Sequence, residues 1–156
     1  MKKVLVLALL GVVCLGFVGQ ALAASPPKAT GDVTADSGTQ VFGATFDARV
    51  DKDGAKGSFH VLFTQGSLAG QFYDGTVSCF IQSGNEASLG GFVGSSNNSL
   101  ITFVRITVQD NGEGSNATGP DLIRVQRFVD PPPVSSRCLL PVSELATVTG
   151  GNLQVH

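Results

Sequence analysis

VFGATFDARVDKDGAKGSFHVLFT, residues 41–64, decides the fold of this chain. Apolar residues occupy alternate positions from Phe42 to Val50 and again from Phe59 to Phe63, with polar residues in most of the positions between them. A period of two is typical of β-strands that bury one face and expose the other. Residues 51–54 (DKDG) separate the two runs and have the composition of a turn. The stretch therefore predicts a β-hairpin.

The same pattern continues along the chain. Apolar-alternating runs recur at 68–83, 86–94, 100–109, 122–129 and 153–156, separated by segments rich in Gly, Asn and Asp. Residues 142–147 fit either a helical turn or a strand, and no long amphipathic helix follows residue 23. We therefore expect an all-β fold, an antiparallel barrel or sandwich of about seven or eight strands with Gly-rich turns. The pattern does not separate a barrel from a sandwich.

The run at 68–83 is interrupted at Asp74-Gly75. This dipeptide indicates either a tight turn or a β-bulge. Beyond it, the period of two predicts that Val77, Cys79 and Ile81 share the inner face.

The N-terminus has the pattern of a secretory signal peptide. Lys2 and Lys3 precede an apolar run that ends at Val18, and the small-residue site Ala21-Leu22-Ala23 follows. The run of about 15 residues is shorter than the ~20 that a membrane-spanning helix needs. We therefore expect residues 1–23 to be cleaved and the protein to be secreted, into the medium or, in a host with two membranes, into the periplasm.

The mature chain is expected to be one domain behind a short tether. Residues 24–38 are small and polar and contain Pro and Gly, which predicts a flexible tether. Residues 39–156 then form a single β-domain. No long apolar run remains after cleavage, so the mature chain is predicted to have no membrane span.

Charge argues against two classes of partner. Without Lys2 and Lys3 the chain keeps 8 basic residues against 12 acidic ones. It has no basic stripe, so nucleic acid is not an expected partner. The same deficit disfavours electrostatic binding to anionic membranes.

Cleavage also changes the set of cysteines. Cys14 lies in the signal peptide, so the mature chain retains Cys79 and Cys138. A pair of cysteines in an oxidising compartment predicts one disulfide, and two buried free thiols are the alternative.

Calcium is the one cofactor that the residues suggest. Asp110, Asn111, Glu113 and Asp121 place four oxygen-bearing side chains on one loop between two predicted strands. Calcium takes six to eight oxygen ligands, so backbone carbonyls and water would complete the shell. The alternative is an Asn-Gly turn surrounded by solvated acids.

The residues do not form a recognisable catalytic set. His60 is predicted to point outward from the middle of a strand, and His156 is the last residue of the chain. The acidic residues lie mostly in turns, where carboxylates are usually solvated, whereas a general acid needs partial burial. These observations favour a protein that is not an enzyme.

Three spacings occur along the chain: Gly75-x-Val77-x-Cys79, Gly84-Asn85-x-Ala87-x-Leu89-x-Gly91 and the run Asp110-Asn111-Gly112-Glu113-Gly114. Together they resemble a group of secreted bacterial β-domains of unassigned function. The resemblance covers most of the mature chain. It implies a bacterial origin and a β-fold, and it brings no catalytic residues.

We therefore expect a secreted β-domain that binds an extracellular ligand or protein, or that serves as an extracellular structural module. Loops on a rigid scaffold are the usual place for recognition. One alternative is a carrier that holds a small ligand inside a closed barrel. A second alternative is a hydrolase that uses loop carboxylates.

Overall fold

The computed structural model describes residues 25–113, 117–140 and 144–156, so the predicted signal peptide lies outside the described residues. These described residues form eight antiparallel strands and a 3-10 turn at Val134–Ser136. In chain order the strands are β1 (Lys28–Asp36), β2 (Val41–Asp51), β3 (Gly54–Gln65), β4 (Phe72–Ser83), β5 (Glu86–Ser96), β6 (Phe103–Gln109), β7 (Leu122–Phe128) and β8 (Ala146–Val155).

The strands form a closed barrel. Each strand pairs with the next one along the chain, and β8 returns to pair with β1. The predicted hairpin at 41–64 is confirmed, with Phe46 opposite Phe59 in the β2–β3 register. The all-β prediction is thus confirmed, and of the two architectures left open the chain adopts the barrel.

The barrel has two ends. The upper end carries the β1–β2, β3–β4, β5–β6 and β7–β8 connections, and the lower end carries the other three. Lys28 and His156 meet at the lower end, where each backbone N–H donates to the other's carbonyl, at 3.0 and 2.8 Å.

The predicted tether at 24–38 is wrong for most of its length, because Lys28–Asp36 form β1. Ala29, Val33 and Ala35 point into the barrel and are at most 3% exposed. Their small side chains face large ones from β2: a Cβ on Gly31 would lie 2.4 Å from the Phe46 ring. The domain therefore begins at residue 28 and not at residue 39.

Side chains fill the interior. Alternate residues of every strand point inward, and the large ones are at most 4% exposed: Phe42, Phe46, Phe59, Phe63, Tyr73, Leu89, Ile106, Ile123 and Leu153. An eight-stranded barrel is just wide enough for side chains to fill. The interior is therefore a packed core.

The interruption at Asp74-Gly75 is a β-bulge, and a second bulge lies between Val77 and Cys79. The second bulge inserts one extra residue, so every side chain beyond it changes face. Phe80 packs on the core, whereas Ile81 is 43% exposed. The predicted inner face is therefore right for Val77 and wrong for Cys79 and Ile81.

Residues 129–140, which we call the strap, leave the end of β7 and fold back over the outside of the barrel. They cover a second apolar cluster, in which Phe103 is fully buried although it lies on the outer face of β6. The ring of Phe103 packs edge-on against Phe92 and Phe128, with centroids 5.5 and 6.1 Å away. The guanidinium of Arg137, in the strap, lies 5.1 Å from the Phe92 centroid.

Arg105 joins the strap to the sheet. Its guanidinium donates to the carbonyl of Ser136 at 2.9 Å and twice to the side chain of Gln126, at 2.9 and 2.7 Å. Burial, helped by the nearby charge of Arg124, lowers the pKa of Arg105 from its usual value.

No helix within the described ranges has the length and apolar character needed to cross a bilayer.

Candidate functional site

The candidate site is a pocket of about 180 Å³ at the upper end of the barrel. Inward residues of β2, β3, β7 and β8 form its floor together with the β3–β4 loop: Phe42, Phe63, Ile123, Val125, Ala146 and Leu68. Polar residues line the rest: Ser37, Gln40, Arg124, Arg127 and Glu144. An apolar floor with a few polar groups is the usual composition of a ligand site, and barrel mouths are a common location for one.

Phe42 and Phe63 place two aromatic rings in the floor. The ring centroids of Phe42 and Phe63 lie 5.5 Å apart, with planes inclined at 44°. Tyr73 packs edge-on against Phe63 at 6.4 Å and is fully buried. These contacts hold the floor in one arrangement because each ring is fixed by its neighbour.

Arg127 points inward at this end. Within β7 it falls on the same face as Ile123 and Val125, and in the ladder it lies opposite Val104 of the core. Its guanidinium lies 5.4 Å from the centroid of the Phe63 ring. The strand's alternation therefore carries a positive charge into the mouth of an apolar barrel.

The partners of Arg127 are neutral. Nη1 donates to Gln71 Oε1 at 3.2 Å and to the Tyr73 hydroxyl at 3.4 Å. The Tyr73 hydroxyl in turn donates to Gln71 Oε1 at 2.6 Å. Within the described part of the chain, Arg127 makes no ion pair, and its Nε and Nη2 atoms make no hydrogen bond.

Hydrogen bonds between the β1–β2 turn and the β3–β4 loop hold the rim of the pocket in place. Gln40, in the β1–β2 turn, accepts from the backbone N–H of Leu68 at 3.1 Å and donates to the hydroxyl of Ser67 at 3.0 Å. These bonds fix the β3–β4 loop against the turn. The pocket wall is therefore formed before any ligand arrives, which lowers the entropy lost on binding.

An ion pair stands beside the entrance. Arg124 donates to Glu144 Oε2 at 3.2 Å, with the arginine side chain 27% exposed and the glutamate side chain 81% exposed. Glu144 adopts a positive φ of 61°, which is uncommon for a residue other than glycine. The entrance thus carries a carboxylate next to one of its two arginines.

The predicted calcium residues lie at the lower end, opposite the pocket. Asp110 accepts backbone N–H groups with both oxygens, from Gly112 and Val155, each at 2.9 Å. Asp121 Oδ1 accepts the N–H of Asn111 at 2.8 Å. These oxygens therefore hold the loop and the end of β8 in place.

The rest of the predicted shell is less converged. Asn111 Oδ1 accepts from Gln109 at 3.0 Å, and Glu113 is exposed. In residues 25–113, 117–140 and 144–156, no three His, Cys, Asp or Glu side chains are placed to hold a metal ion. The calcium site predicted from the sequence stays untested, and the hydrogen bonds that Asp110 and Asp121 already make argue against it.

The predicted disulfide between Cys79 and Cys138 is confirmed. It connects β4 to the strap. The bulge that turns Cys79 outward is what brings its sulfur to the strap.

His60 and Asp74 form a pair on the outer face of β3 and β4. His60 Nδ1 lies 2.5 Å from Asp74 Oδ1, and both side chains are about half exposed. Ser58 lies two residues away on the same face, but no hydrogen bond within the described ranges joins it to His60. A Ser-His-Asp mechanism needs a nucleophile within hydrogen-bond reach of the histidine, so we assign no catalysis to this pair.

Carboxylates in the β2–β3 turn are engaged by a lysine. Lys56 Nζ lies 2.9 Å from Asp51 Oδ2 and 3.2 Å from Asp53 Oδ2. The hydrogen bond from Lys56 lowers the pKa of Asp51, whereas a general acid requires a raised pKa.

Reasoning from the sequence missed Arg127, although the chain carries a signal for it. Ile123, Val125 and Arg127 share one period-two face, which marks the arginine as inward.

Comparison of the chain with protein-family models, curated proteins and solved structures finds no match.

Proposed function

We propose that this protein is an exported binding module that recognises an anionic group in the pocket at the upper end of its barrel. The N-terminal pattern of Lys2, Lys3 and the apolar run supports export. The disulfide fits an oxidising compartment.

The inward Arg127 is the observation that carries the proposal. Arg127 is partly buried, so its charge is partly shielded from water and a partner of opposite charge would stabilise it. Arg127 has only neutral partners in the described residues, a glutamine oxygen, a tyrosine hydroxyl and an aromatic ring. An anion in the pocket would supply that opposite charge.

The surroundings of Arg127 support recognition rather than enclosure. The pocket of about 180 Å³ is smaller than the ~300 Å³ at which typical small-molecule sites begin. Side chains fill the barrel below it, so the pocket fits one chemical group at the mouth. We therefore prefer a binding module to a carrier that encloses its ligand.

The test is a titration of isotope-labelled protein with acetate and hexanoate, followed by NMR. We expect shifts confined to the signals of Phe63, Val125 and Arg127. Arg127→Gln is expected to weaken binding about tenfold or more, because a charge-assisted hydrogen bond contributes about 1.5–3 kcal/mol. Lys52→Gln removes the same charge from the exposed β2–β3 turn at the lower end and serves as the matched control.

Two results would contradict the proposal. One is the absence of localised shifts with either anion in the folded protein. The other is equal binding by the wild-type protein and the Arg127→Gln variant, provided that both give the dispersed spectrum of a folded barrel.

A further inference from the structure

We infer that the anion recognised at the upper end is a carboxylate carried on a short apolar group. The inference rests on the proposed function and specifies the ligand class of the same pocket. Three features of the pocket carry it: the free edge of Arg127, the apolar floor and the charge of the entrance.

The free edge of Arg127 has the shape of a carboxylate site. Within the described residues, both hydrogen bonds of this guanidinium are donated by Nη1, to Gln71 and to Tyr73. The N–H groups of Nε and Nη2 lie side by side on the other edge, and within the described residues they have no acceptor. Two parallel N–H donors match the two oxygens of a carboxylate.

The floor beside this edge favours an apolar body on the ligand. Phe63 lies directly beneath the guanidinium, and Phe42, Ile123 and Val125 extend the apolar surface. Burial of methylene groups on such a surface is favourable in proportion to the area that leaves water. The limited volume of about 180 Å³ restricts that body to a short chain.

The charge of the entrance favours a monoanion. Glu144 holds Arg124 in an ion pair at 3.2 Å, and its own carboxylate stands at the rim. A ligand with two or more negative charges would meet this carboxylate, while Arg127 alone compensates one charge. The entrance therefore selects against sulfate and phosphate groups.

The experiment compares acids of increasing length by calorimetry on the folded protein. The series is acetate, butanoate, hexanoate and octanoate, with 1-hexanol, hexylamine and sulfate as controls. We expect affinity to rise about threefold to fourfold per methylene, as apolar burial predicts, until the floor is covered. Sulfate, hexanol and hexylamine are expected to bind at least tenfold more weakly than hexanoate.

Variants separate the two parts of the ligand. Arg127→Gln is expected to lose the carboxylate preference, so that hexanoate and hexanol bind alike. Arg127→Lys keeps the charge without the paired donors, and an intermediate loss is expected. Ala146→Val narrows the floor, and the affinity should then stop rising at a shorter acid than in the wild-type protein.

The outcomes distinguish this inference from the proposed function. If acetate or sulfate binds as tightly as hexanoate and Arg127→Gln abolishes the binding, the apolar carboxylate is wrong and the anion site stands. If no anion binds, or Arg127→Gln changes nothing, both are wrong. N-acetylleucine and its amide identify the source of the carboxylate: a preference for N-acetylleucine over hexanoate indicates a peptide chain end, and the reverse indicates a free acid.

Discussion

A disulfide between Cys79 and Cys138 links the middle of β4 to the strap. The two Cα atoms lie 6.0 Å apart, although the residues are 59 positions apart in the chain. The bond crosses from a strand of the barrel to a segment outside it. The strap covers Phe103, a fully buried ring on the outer face of the sheet. The disulfide therefore stabilises a second layer of the molecule as well as a long loop.

Replacing both cysteines with serine is expected to lower the free energy of unfolding by about 3–4 kcal/mol, because a cross-link of this span restricts the unfolded chain. The strap should also loosen and uncover Phe92 and Phe103. Urea denaturation measures the first effect, and binding of a hydrophobic dye measures the second.

Reductant provides the control for this prediction. It should destabilise the wild-type protein by the same amount and leave the double serine variant unchanged. Free thiols in freshly purified protein, found by peptide mapping without reduction, would contradict the disulfide.

Gly91→Ala is expected to destabilise the barrel by about 1–3 kcal/mol, the usual range for overpacking in a core. A Cβ at this position would lie 1.9 Å from the carbonyl oxygen of Thr76 on the neighbouring strand. Gly94→Ala in the same strand is the matched control, because its Cβ would meet nothing closer than 4.0 Å. Equal melting temperatures for the two variants would refute this account of the β4–β5 contact.

Millimolar calcium is expected to leave the melting temperature unchanged. Both oxygens of Asp110 already accept backbone N–H groups, and Asp121 holds the N–H of Asn111. A ligand that binds the native state raises the melting temperature by mass action. A rise in calcium that chelator reverses and that Asp121→Asn removes would instead establish the calcium site.

The Asp51–Lys56 pair sets a pH range for the stability of the β2–β3 turn. The hydrogen bond from Lys56 lowers the pKa of Asp51 below its usual 3.8, so this contribution is present above that pH and is lost as pH falls through the lowered pKa. The pKa of Lys56 is raised above 10.5, so its contribution is lost only as pH rises beyond that value.

An NMR titration of the Asp51 carboxyl tests the acid side of this range. Lys56→Gln should return the pKa of Asp51 toward its usual value, and Lys52→Gln should leave it where it was. An Asp51 pKa that is the same in all three proteins would show that the lysine contact does not form in solution.

The fold was predictable wherever the alternation was strong. The sequence pattern predicted β2 and β3 because large apolar residues alternate with polar ones from Phe42 to Val50 and from Phe59 to Phe63. The sequence pattern did not predict β1, because its inward residues are small and give only a weak hydrophobic alternation: Ala29, Gly31, Val33 and Ala35. Large side chains of β2 fill the space that these small residues leave. The sequence of β1 alone does not reveal this packing between two strands.

Two other features depend on contacts distant in the chain. The bulge at Val77–Cys79 adds one residue to β4, and only the pairing with β5 exposes the extra residue. The pocket combines Gln40, Leu68, Arg127 and Ala146 from four separate segments, so its existence follows from closure of the barrel. Closure itself follows from pairing of β1 with β8, which the local pattern does not encode.

That last pairing also fixes an order of events. The hydroxyl of Thr149 donates to the carbonyl of Thr34 across 115 positions of the chain. One edge of β1 therefore stays unpaired until β8, the last strand, has been synthesised and has folded against it. Pairings between such distant residues slow folding, and an unpaired strand edge is a template for association with other chains. We therefore expect the slowest step of folding to be closure of the ring, and the interval before it to be when this protein is most vulnerable to aggregation.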